Sequence, residues 1–79
     1  MRARGGPRAP GLGLVAEFDE ERGLGWVQGD DGRRYRFHCT ALSDGTRHVE
    51  VGRRVVFAVV PGHGGQFEAR SVTVVGPLP

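Results

Sequence analysis

The 79-residue sequence has no lysine, no isoleucine and no asparagine, and a single cysteine, Cys39. One thiol cannot close an internal disulfide, and no cysteine or histidine spacing suits a zinc site, so stability has to come from a packed core. A chain this short allows one small domain. Long apolar runs are also missing. The basic opening "MRARGGPRAP" resembles the start of a leader, but the "GLGLVA" that follows is diluted by glycine and stopped by Glu17. A soluble, intracellular, cytoplasmic protein is expected. Finally, no window carries apolar residues at helical spacing over three turns, which argues against a helical fold.

The basic residues present are all arginine, and with isoleucine and asparagine absent as well this points first to a GC-rich coding source. The formal charge is +2; Arg2, Arg4 and Arg8 supply +3 of it, which leaves −1 for the rest of the chain. The high isoelectric point therefore owes much to an amino-terminal tail, and the body of the protein lacks the strongly basic character usual in nucleic-acid binders. Residues 1–10 combine those arginines with Pro7, Pro10, Gly5 and Gly6, so a disordered arm is expected there, followed by one domain over 11–75 and a short tail over 76–79.

What remains is short β-branched and aromatic runs separated by glycine-rich or charged breaks. Five strands are expected: 12–18, 24–29, 33–39, 53–60 and 66–75. The "DDG" after the second is a hairpin signal, because Asp and Gly accept positive φ. In "RRYRFHC" Tyr35 and Phe37 alternate with Arg36 and His38, so one face is aromatic and the other cationic; the aromatic face is assigned to the core, as are Val55, Phe57 and Val59. Five antiparallel strands without a covering helix would leave open edges, and closing the sheet into a small OB-type barrel removes them. Glycines 13, 25 and 29 are expected to mark bulges or bends of that barrel.

Side chains with chemistry have a plain reading beside a functional one. Trp26 either fills the barrel or faces outward as a stacking platform, and alternation with Val27 favours the outward position. Arg36 and His38 form either a solvated strand face or a base-contacting one. A Cys39–His38 dyad is not expected, because adjacent strand residues point to opposite sides. Ser43, Asp44 and His48 contain triad residue types but sit in one short loop, where turn and capping roles explain Ser43 and Asp44 better. The "GLG" triplets open no helix and carry no lysine or hydroxyl, so they do not make a phosphate loop. Asp30, Asp31 and the nearby glutamates are too scattered for a calcium loop. No catalytic constellation, cofactor or metal site is expected.

The run "GLVAEFDEERGLGWV" with "YRFHC", then "TALSDGTRHVEVGRRVVF" and "ARSV", resembles the cold-shock domain family from about Gly13 to Val72. The resemblance implies a five-stranded barrel that binds single-stranded RNA or DNA on an exposed sheet, stacking bases on aromatic rings. Carried over by position, Glu17 replaces an outward tryptophan and Ala16 a lysine. Arg22 keeps a basic position; Leu24 replaces one phenylalanine and Trp26 another. Arg36 replaces a stacking phenylalanine, His38 is retained, Cys39 replaces a phenylalanine, and Thr46 or Arg47 replaces a loop aromatic. Each stacked base contributes roughly 1–3 kcal/mol, so about four lost platforms remove on the order of 4–10 kcal/mol, an upper bound because such terms do not add. The resemblance thus implies a reduced site built from Arg22, Leu24, Trp26, Arg36, His38 and Arg47, on a monomer with no enzyme activity, membrane contact or small-molecule substrate. The alternative is a barrel that has lost nucleic-acid binding and serves protein interaction.

Overall fold

Strand alternation places every second side chain on the inner face, and the turns are closed by short side chains and glycines. The computed structural model describes residues 10–75. Its strands are β1 (Gly11–Asp19), β2 (Leu24–Gly29), β3 (Arg34–His38), β4 (Arg54–Pro61) and β5 (Phe67–Val74). They form a closed barrel in the order β1-β2-β3-β5-β4, with β4 pairing back onto β1. The expected arm lies outside the described residues apart from Pro10, as does the tail over 76–79.

The β1–β2 turn is held by Asp19, whose Oδ1 accepts the N–H groups of Glu21 and Arg22 at 3.0 and 3.2 Å. Gly23 then turns the chain at φ 69°, a left-handed conformation that costs glycine little. At the β2–β3 turn Asp31 accepts the Arg33 N–H at 2.9 Å and the Tyr35 hydroxyl at 2.6 Å. That second bond satisfies the polar end of an otherwise buried ring.

The core follows the alternation. Val27 and Val55 are fully buried, Phe37 and Phe57 nearly so, and Tyr35 packs at 5.1 Å from Phe57 by ring centroids. Val59 is half-buried against this cluster. Each such side chain removed from water stabilises the barrel by about 1.5–3 kcal/mol.

Three details differ from the sequence reading. The closure between β3 and β5 is parallel, with Arg36 opposite Glu68, while the other strand pairs are antiparallel. After His38 the chain makes a short 3-10 turn, Cys39–Ala41, and a loop leads on to β4; β5, antiparallel to β4, then runs in the direction of β3. Second, β3 stops at His38 and does not reach Cys39. Third, the register shifts fall between Val15 and Glu17 and between Val56 and Ala58, away from the glycines. Gly25 instead makes room: a Cβ there would lie 2.6 Å from Phe37 Cζ and from the Glu17 carbonyl oxygen.

Candidate nucleic-acid interface

The bulge at Ala16 decides what β1 presents. Gly13 and Val15 face inward, so strict alternation would drive Glu17 into the core; one extra residue reverses the phase, leaving Glu17 exposed and Phe18 half-buried. Glu17 then lies opposite Trp26, Trp26 opposite Arg36, and Arg36 opposite Glu68. One row across four strands therefore reads carboxylate, indole, guanidinium, carboxylate. The next row is Asp19, Leu24 and His38.

Trp26 is half-buried on the outer side, back to back with the buried Val27. It lines a cleft of about 350 Å³ together with Glu17, Phe18, Asp19, Arg22, Leu24 and Arg36. Four residues of the expected set thus share one cleft: Arg22, Leu24, Trp26 and Arg36. His38 lines a separate hollow with Thr40, Ala41, Glu68, Ala69 and Arg70. Arg47 is exposed in the loop before β4, in a left-handed conformation at φ 62°, and lines neither.

The cations differ in how free they are. Arg22 is 3.9 Å from Asp19 Oδ2, an exposed pair of little strength. Arg34 reaches Glu17 Oε2 at 3.5 Å and Gln28 Oε1 at 3.2 Å. Arg36 has no ion-pair partner among the described residues, so its guanidinium is available to stack or to meet a phosphate. His38 Nδ1 accepts the Thr40 N–H at 3.3 Å and contacts the Thr40 hydroxyl at 2.9 Å. A neutral His38 in this geometry carries its proton on Nε2, directed away from the turn.

The turn also brings the Cys39 Sγ to 3.9 Å from His38 Nδ1, although the two were expected on opposite sides; Cys39 has left the strand, so alternation no longer separates them. The Thr40 N–H donates to the same Nδ1, so the thiol shares that ring nitrogen with the backbone of the turn. Of the loop residues, Ser43 Oγ bonds Thr73 Oγ1 at 2.8 Å, and Asp44 Oδ1 accepts the N–H and hydroxyl of Thr46 at 3.0 and 2.9 Å. His48 pairs with Glu20 and sets its ring edge against Phe18, centroids 6.0 Å apart.

Phe18 was missed in the sequence reading. Its ring lies parallel to Phe37 at 5.9 Å and forms part of the cleft. The signal available was the cost of burying Glu17, which implies a change of phase just before Phe18. Glu68 beside Arg36 had no local signal, because the two meet only through barrel closure.

Fold and face together define a small OB-type barrel with one outer sheet that mixes an indole, an imidazole and charged groups. The family described as 'Cold-shock' DNA-binding domain matches residues 12–75. The chain belongs to that family of nucleic-acid-binding domains. Among solved structures it is similar to drosophila Unr CSD456, with a TM-score of 0.73 at 22% identity, over 89% of this chain and 28% of that one. The likeness is one of fold, and the chain spans little more than a quarter of that structure. No curated protein matches the chain. No helix among the described residues is long and apolar enough to cross a membrane.

Proposed function

We propose that the outer face of β1, β2 and β3 binds single-stranded RNA or DNA, with lower affinity than a fully aromatic face would have. The observation that carries this reading is the cross-strand row in which Trp26 stands beside Arg36, which has no ion-pair partner among the described residues. Trp26 and His38 stack bases; Leu24 adds apolar contact; Arg22, Arg36 and Arg47 meet phosphates or stack. Stacking itself accepts any base, so sequence choice from these platforms is small. Glu17 and Glu68 at the two ends of the row repel phosphates, which supports the reduced affinity. The protein acts as a binding module with no reaction of its own. Closure of the five described strands into a barrel, which limits the strand edge open to a second copy, supports a monomer. The free thiol of Cys39 suits a reducing compartment such as the cytoplasm.

The test is a titration of a labelled seven-nucleotide thymidine strand at low and at physiological salt, read by fluorescence anisotropy. Trp26→Ala should weaken binding about fivefold or more, and His38→Ala should weaken it as well. No binding at low salt would favour the alternative, a protein-interaction barrel.

A further inference from the structure

We infer that Glu17 and Trp26 together form a base-reading position that prefers guanine, an inference that rests on the nucleic-acid reading above. The two residues are direct cross-strand partners and line the same cleft. Directly opposed residues bring their Cβ atoms within about 4.5–5.5 Å. A base laid on the indole therefore turns an in-plane edge toward the Glu17 carboxylate.

The carboxylate is available for that edge. Arg34 approaches it on one side only, Nη1 to Oε2 at 3.5 Å, and the side chain is 62% exposed. Its neighbour Asp19 is committed elsewhere: Oδ1 holds the N–H groups of Glu21 and Arg22, and Oδ2 faces the Arg22 side chain. Glu68 lies on the far side of Arg36. Glu17 is thus the acceptor next to the platform.

An ionised carboxylate only accepts hydrogen bonds. Guanine is the one common base whose Watson–Crick edge presents two adjacent donors, N1–H and the N2 amino group, matched to two carboxylate oxygens. Adenine and cytosine each place an amino group beside a ring-nitrogen lone pair that opposes the carboxylate. Uracil and thymine flank a single N–H with two carbonyls. The negative charge of Glu17 also repels the phosphates of every strand, and guanine is the base that offsets this repulsion.

The experiment compares thymidine heptamers whose central base is guanine, hypoxanthine, adenine or cytosine, by anisotropy at low salt. The guanine strand should bind about 5- to 10-fold tighter than the adenine or cytosine strand, the low end for a bidentate contact because the site is exposed. Hypoxanthine, which keeps N1–H and lacks the amino group, should fall between. Glu17→Ala should abolish the preference, weakening the guanine strand while the adenine and cytosine strands bind equally well or tighter. Equal affinity for all four strands overturns the inference, as does a guanine preference that survives Glu17→Ala; either leaves the nucleic-acid reading intact. Absence of binding by every strand overturns that reading itself.

Discussion

Replacing Glu17 by phenylalanine tests whether a second aromatic platform beside Trp26 strengthens the proposed binding of a single strand. Glu17 stands directly opposite Trp26, its side chain 62% exposed, so an aromatic ring there adds a second platform beside the first without entering the core. One added platform stabilises a bound strand by roughly 1–3 kcal/mol, about 5- to 150-fold in affinity. The cost is the Arg34–Glu17 pair, which at 3.5 Å and with both side chains about half exposed or more contributes under about 1 kcal/mol to stability. The fold should therefore survive, and an improved affinity cannot be mistaken for misfolding. Charge and stacking are separated by Glu17→Gln. The amide removes repulsion alone, so its gain on a thymidine heptamer should be modest and should vanish as salt rises. The phenylalanine gain should persist at physiological salt. Anisotropy titrations of the three proteins at two salt concentrations decide the matter. A phenylalanine variant no tighter than the glutamine variant would refute the placement of the strand over β1 and β2.

Three further outcomes follow from the geometry. Arg36→Ala should reduce the slope of log affinity against log salt by about 0.7, the value of one phosphate contact on a single strand; an unchanged slope would show that Arg36 stacks or stays idle. Gly25→Ala forces a Cβ to within 2.6 Å of Phe37 and of the Glu17 carbonyl, so denaturant unfolding should show a loss of about 1–3 kcal/mol, and a loss below about 0.5 kcal/mol, typical of surface sites, would mean that Phe37 moves freely. Hydrogen bonds from the Tyr35 hydroxyl and then the Arg33 N–H hold Asp31 below its ordinary value of 3.8, and those from Thr46 do the same for Asp44. A depressed carboxyl stabilises the fold fully above its unfolded value and loses that contribution as pH falls through the folded one. The same bond, with Asp31 as acceptor, raises Tyr35 above 10.0, so its contribution is complete below that value and is lost as pH rises through the folded one. Tyr35→Phe should therefore shift the Asp31 titration, followed by NMR, back toward 3.8; an unmoved titration would dissociate the two groups.

The alternation of Tyr35 and Phe37 with Arg36 and His38 was enough to assign which side of β3 faces the core, because successive side chains of an extended chain leave opposite sides whatever the tertiary context. For the same reason Val27 implied an outward Trp26, and the "DDG" and glycine breaks located the strand ends to within a residue or two. Five strands and barrel closure were legible at that level. Four features were not. The place of the bulge at Ala16, which half-buries Phe18 and brings it into the cleft, was set by pairing with β2, although the outward Glu17 was expected from the resemblance. The 3-10 turn that detaches Cys39 from β3 is followed at once by the bridge of Leu42 to Val72, a partner 30 residues away that no local pattern announces. The parallel contact of β3 with β5 sets Glu68 beside Arg36, 32 residues away in sequence. Finally, the split of the expected site between a cleft at Trp26 and a hollow at His38 reflects that same closure. The side a residue faces follows from its own backbone, whereas register and closure depend on free energies shared with distant segments; the sequence alone determined the first, and the folded barrel decided the second.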